Sequence, residues 1–184
     1  MRTLITLPGI GGSGDNHWET LWELSDPSIR RFQPPDWNRP QLTSWCDALQ
    51  NAVEAARHPA ILIAHSLACL LVAHWAARSR LSIAGVFLVA VPDPDGPVFP
   101  VEADSFRAVP GNRLPFQSLI VASEDDPYGS LDYVRRRSEQ WGSTMVNIGK
   151  CGHINELCNL GAWPAGRSLL ENFRAQTEGE ASRN

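Results

Sequence analysis

The chain has 184 residues, 43% of them hydrophobic and 20% charged, the balance of an ordinary globular domain with enough length to bury a substantial core. Its 16 basic and 20 acidic side chains leave a formal net charge of −4, which offers no electrostatic handle for nucleic acid or an anionic membrane. The opening residues reach Pro8-Gly9 before a signal-peptide core can form, and no apolar run is long enough to span a bilayer; the expected compartment is the cytoplasm.

The first apolar run, Thr3 to Leu7, reads as a strand and empties into Pro8-Gly9-Ile10-Gly11-Gly12-Ser13-Gly14, with His17-Trp18 just downstream. A second strand is expected over Ile29 to Gln33. It runs into Pro34-Pro35-Asp36-Trp37 and carries no acid at its end, which removes the partner a dinucleotide-binding glycine loop needs for the ribose. Trp45, Leu49, Ala52, Val53 and Ala56 recur at helical spacing, with Pro40 placed for a first turn. Ala60 to Ala64 is a buried strand that meets a helix, Ser66 to Arg78, at Ala64-His65-Ser66-Leu67-Ala68.

Ala84 to Val91 reads as the fourth strand. From Pro92 to Pro115 proline is too dense for a regular helix, so an ordered excursion over one end of the sheet is expected, in the manner of a small lid. Strands over Gln117 to Ala122 and Thr144 to Ile148 flank a helix from Leu131 to Trp141. A last helix begins near Trp163-Pro164, carries Leu169, Leu170 and Phe173, and gives way to a polar tail over residues 177–184. Near-continuous apolar strands alternating with helices predict a single α/β domain over residues 1–176, with a mostly parallel, doubly wound, six-stranded sheet covered on both faces.

Chemistry gathers at three strand ends. Ser66 sits at a strand-to-helix turn whose flanking residues, Ala64 and Ala68, are small enough to hold a nucleophile exposed. Its competing reading is a helix cap. Asp126 follows the fifth strand in Ser123-Glu124-Asp125-Asp126-Pro127-Tyr128, and His153 follows the sixth. An alcohol needs a base to become a nucleophile, imidazole titrates near neutrality, and a carboxylate on its far nitrogen fixes the tautomer. Ser, Asp and His come in the chain order of α/β-hydrolases. The developing oxyanion is assigned to the backbone N–H groups of Leu67 and of Ile10, whose glycine neighbours let the loop turn over the nucleophile. Asp126 is preferred over Asp125, which with Glu124 reads as a solvated loop charge, because a residue before proline favours an extended backbone.

These motifs, in this order from Leu4 to Leu170, resemble a family of small serine hydrolases. It includes the retinoblastoma-binding serine hydrolases and many uncharacterised bacterial proteins. The resemblance implies a single-domain α/β-hydrolase with a minimal cap or none, no cofactor, and a triad of Ser66, Asp126 and His153. Ala68 departs from the glycine common there. The expected activity is hydrolysis of a small acyl ester through an acyl-enzyme. The rival readings are a thioesterase or acyltransferase, and a module that keeps the fold but binds a protein partner.

Trp18, Phe99, Phe106, Tyr128 and Ile154 are assigned to the rim of the substrate pocket. His65 is expected to make a structural hydrogen bond, and His17 either caps the next helix or lines the site. Cys151, His153 and Cys158 lack a second ligand pair for zinc, so no metal is expected and the four cysteines read as free thiols.

Overall fold

In the computed structural model, residues 2–56 and 58–181 are described. Six strands form one all-parallel sheet: β1 (Leu4–Leu7), β2 (Ile29–Arg31), β3 (Ile61–His65), β4 (Gly85–Val89), β5 (Ser118–Ala122) and β6 (Thr144–Asn147), in the spatial order β2-β1-β3-β4-β5-β6. Between them run α1 (Trp18–Ser25), α2 (Leu42–Glu54), α3 (Leu67–Ala76) and α4 (Leu131–Trp141), and α5 (Pro164–Ala181) follows β6.

The twofold alternation of each strand splits the core into two layers. Ile5, Leu7, Leu62, Ala64, Val86, Leu88 and Ile120 point to the face covered by α2, α3 and α4. Leu4, Ile61, Ile63, Phe87, Val89 and Val121 point to the other, where Trp18 and Trp22 of α1 meet Trp163, just before α5, and Leu170 and Phe173 of α5. Each such side chain contributes about 1.5–3 kcal/mol when taken fully out of water. β3, β4 and β5 are buried along their whole length, which is why they read as continuous apolar runs, whereas edge strand β6 is only half buried.

Several boundaries differ from expectation. α2 starts at Leu42 with Gln41 in extended conformation as its N-cap. Pro40 therefore stands outside the first turn, beyond a turn closed by Asp36 Oδ1, which accepts from the N–H groups of Asn38 and Arg39. β4 stops at Val89 because Ala90 takes a positive φ of 57°. The proline-rich excursion holds a 3₁₀ helix in its proline-free segment, Val101–Phe106. The expected tail from residue 177 is also corrected: α5 continues to Ala181, with Thr177 4% exposed and its carbonyl accepting from Arg2 at 2.9 Å. Polar composition alone does not distinguish a side chain turned inward from a frayed end; residues 182–184 lie outside the described residues. No described helix is long and apolar enough to cross a membrane.

Candidate active site

The candidate site forms where the strand order reverses. β1 and β3 are neighbours, but the helices that follow them, α1 and α3, go to opposite faces of the sheet. The loops leaving their carboxyl ends diverge and open a crevice.

Ser66 is the single residue between β3 and α3, with φ 56° and ψ −124°. A non-glycine residue held there stores about 1–3 kcal/mol of backbone strain. Its backbone is tied on both sides: its N–H donates to the Val89 carbonyl, and its carbonyl accepts from Cys69 N–H, each at 2.9 Å. Ala64 and Ala68 are fully buried against the turn. The glycine-rich loop presses on the same point, since a Cβ on Gly9 would stand 2.9 Å from the Ser66 Cβ. Although Ser66 occupies the N-cap position of α3, its side chain makes no capping bond. Its Oγ instead lies 2.7 Å from His153 Nε2.

His153 Nδ1 lies 2.8 and 2.9 Å from the two carboxylate oxygens of Asp126. A carboxylate only accepts, so Nδ1 carries the proton and Nε2 accepts a hydrogen bond from the Ser66 hydroxyl. Asp126 Oδ1 also accepts from Tyr128 N–H at 2.9 Å, and the Tyr128 ring packs on the imidazole at 4.4 Å between centroids.

The loop carrying His153 is gripped at consecutive residues by side chains from elsewhere in the fold. Ser123 Oγ accepts from Cys151 N–H at 2.9 Å and Asp125 Oδ1 from Gly152 N–H at 2.8 Å. His65 Nε2–H donates to the His153 carbonyl at 3.0 Å, and Trp18 Nε1–H to the Ile154 carbonyl at 2.8 Å. Asp125 is therefore no idle charge: two donors, Gly152 N–H and Ser123 Oγ–H, hold its carboxyl below the usual range.

The glycine-rich loop is fastened through Ser13. Its hydroxyl donates to Glu19 Oε2 at 2.6 Å, and its carbonyl accepts from Thr20 and Arg31. In that loop Gly11 N–H donates to Trp37 and Gly12 N–H to Gly9. Ile10 N–H meets no acceptor among the described residues, nor does Leu67 N–H at the head of α3, and both residues line the cavity over Ser66. Phe99 and Tyr128 also line it.

Trp18, Phe106 and Ile154 do not. Each is at most 1% exposed and buried in the core: Trp18 against Trp22 and Trp163, Phe106 against Trp45, and Ile154 beside them on the α1–α5 face. Trp18 supports the site from below through its indole N–H. Glu156 and Asn155, not singled out in the sequence, do line the cavity.

His17 fulfils both readings made for it, capping α1 by accepting from Glu19 N–H and lining the cavity. Burial lowers its pKa to about 4, drives that of His65 well below the ordinary histidine value, and raises that of Glu19 to about 8. His17, Glu19 and His65 are the one group among the described residues with ligand atoms close enough, within 4.8 Å, to be weighed as a metal site. Each already serves the scaffold: His17 Nδ1 holds the Glu19 amide, Glu19 Oε2 the Ser13 hydroxyl, and His65 Nε2 the His153 carbonyl. Within this group His17 Nε2 and Glu19 Oε1 are left buried without a partner. The cysteines are free.

Residues 4–172 match the family model described as serine hydrolase. Among solved structures, a YdeN-like hydrolase of Pectobacterium atrosepticum is 29% identical, with a TM-score of 0.87 over 96% of this chain and 92% of its own. The ydeN gene product of B. subtilis is 20% identical at TM-score 0.78, covering 95% of this chain and 100% of its own. A monoacylglycerol lipase of Paleococcus ferrophilus is 14% identical at TM-score 0.69, covering 98% and 94%. These last two share the fold, that of the α/β-hydrolases. No curated protein matches the sequence.

Proposed function

Because the chain belongs to the serine hydrolase family, we propose that it is an esterase that cleaves small acyl esters with Ser66 as nucleophile, His153 as base and Asp126 as its orienting acid. The observation that carries this reading is the continuous contact from Ser66 Oγ to His153 Nε2 at 2.7 Å and from His153 Nδ1 to Asp126 at 2.8 Å.

Ser66 Oγ attacks the ester carbonyl carbon as its proton passes to His153 Nε2. The carbonyl oxygen becomes an anion facing the Ile10 and Leu67 N–H groups, where one such donor is worth on the order of 10²–10³ in rate. His153 returns the proton to the departing alcohol oxygen, leaving the acyl group on Ser66. Water, giving its proton to His153, releases the acid and restores the serine. Asp126 stabilises the imidazolium in both halves. No step calls on a cofactor.

The cavity, about 200 Å³ in volume, is smaller than the roughly 300–1,000 Å³ typical of sites for drug-sized ligands. This supports a short acyl group. The free cysteines fit action in the reducing cytoplasm.

The test is active-site labelling with a fluorophosphonate, followed by turnover of acyl esters and thioesters of graded chain length. Wild-type protein should label at Ser66 and favour short oxygen esters, and Ser66→Ala should fold but not label. Folded wild-type protein that takes up no label refutes the reading. A preference for thioesters moves it to the thioesterase class.

A further inference from the structure

The cavity over Ser66 has one carboxylate in its wall among the described residues, that of Glu156. The imidazoles of His17 and His65 beside it are held neutral by burial. Glu156 is exposed, and no described side chain forms a hydrogen bond or ion pair with its carboxylate. Its Oε2 leans over the glycine-rich loop, 3.1 Å from where a Cβ on Gly14 would sit, so it stands at the mouth of the cavity. Arg107 lies over the ring of the lining residue Phe99 and is already paired with Asp104 at 2.8 Å.

The cavity it lines also presents apolar and aromatic side chains, among them Ile10, Leu67, Phe99 and Tyr128. Among the described residues four large hydrophobic side chains are exposed, and three of them are chain neighbours of lining residues: Val98 and Val101 flank Phe99 and Pro100, and Leu157, 82% exposed, follows Glu156. An unpaired carboxylate in a cavity wall shared with Ile10, Leu67, Phe99 and Tyr128 is complementary to an alkylammonium group. The anion meets the cationic nitrogen, and the side chains meet its carbon substituents. In the reaction proposed above, His153 delivers its proton to the leaving oxygen; Glu156 stands three residues after His153 in the same loop and lines the same cavity. On that shared loop the assignment of the carboxylate to the alcohol side rests.

Resting on that hydrolase reading, we propose that Glu156 is a specificity residue that selects esters whose alcohol portion carries an alkylammonium group. The natural substrate class is then esters of cationic amino alcohols with small acids. Two unit charges about 5 Å apart in water attract enough to favour such an ester about fourfold over a neutral isostere, and added salt weakens the preference.

The experiment compares kcat/KM for acetylcholine and for 3,3-dimethylbutyl acetate, identical in shape but uncharged, with wild-type protein and Glu156→Gln. The ethyl ester of trimethylammonioacetic acid places the cation on the acyl side instead. The expected result is a choline-to-neutral ratio of about four at low ionic strength, shrinking in high salt and falling to about one in Glu156→Gln, with no such gain for the acyl-side cation. A ratio near one in the wild type, a ratio untouched by the substitution, or preference for the acyl-side cation overturns the proposal. Rates of Ser66 phosphonylation by reagents with cationic or neutral thiol leaving groups give the same ratio without ester turnover. Protein that labels without discrimination refutes the selectivity alone. Protein that neither labels nor turns over any ester refutes the hydrolase reading and the selectivity with it.

Discussion

Exchanging each of the adjacent acids for its amide separates their roles. Asp126 has a side chain only 3% exposed, takes the His153 Nδ1 proton with both oxygens, and uses Oδ1 again for the Tyr128 amide. An amide fits the same space, but one of its two ends is now a donor facing Nδ1. If the imidazole answers by moving its proton to Nε2, the atom 2.7 Å from Ser66 Oγ can no longer accept. If it keeps the productive tautomer, two donors oppose each other and the imidazolium loses its counter-charge. Asp126→Asn should therefore lower kcat/KM by about 10⁴, equivalent to about 5 kcal/mol of barrier. Asp125 serves the same loop differently, accepting from Gly152 N–H at 2.8 Å, a bond an amide oxygen can still make. Asp125→Asn exchanges a charge-assisted bond for a neutral one at an exposed position and should cost about fivefold or less. The assay is kcat/KM on an activated acetate ester for the two variants in parallel, with fluorophosphonate labelling rates as a check. If Asp125→Asn is the crippling change and Asp126→Asn is near wild type, the acid is misassigned and the tautomer argument fails with it.

Gly9→Ala would bring a Cβ to 2.9 Å from the Ser66 Cβ and 3.2 Å from the His65 carbonyl, neither of which can swing aside. It should destabilise the fold by about 1–3 kcal/mol in urea unfolding and lower activity more than tenfold; wild-type values for both would refute the close approach. Glu19 offers a pH test. Its folded-state pKa of about 8 lies above the unfolded 4.5, so between these values the folded state binds more protons and stability falls as pH rises. Below 6.5 the buried His17 and His65, with lowered pKa values, act in the opposite sense. From about pH 6.5 to 8 Glu19 should remove about 2 kcal/mol, offset in part near pH 6.5, where His17, His65 and His74 are still about half protonated in the unfolded chain. Glu19→Gln, which keeps an acceptor for Ser13, should flatten that decline in denaturant melts; an unchanged slope would assign it to other groups.

The sequence by itself determined the frame and pointed to the candidate nucleophile. Burial of β3, β4 and β5 on both faces forces unbroken apolar runs, and a turn that must expose one serine allows only small residues around it, so Ala64-His65-Ser66-Leu67-Ala68 could be read directly. The order of Ser66, Asp126 and His153 was legible because each follows its own strand. Tertiary structure alone decided what each remaining side chain faces. Trp18, Phe106 and Ile154 have the composition of a pocket but lie in the core, because an apolar side chain looks alike in sequence whether it lines a cavity or fills a layer. The grip on the base loop left no local trace, since Trp18 reaches a carbonyl 136 residues away and His65 one 88 residues away. Asp125 and Asp126 are neighbours in sequence, and only the fold turns one toward imidazole and the other toward the Gly152 amide. Glu156 acquired meaning in the same way. Nothing about it is special until the sheet reverses order beside β1, bringing the glycine-rich loop under its carboxylate and Ser66 within the same cavity.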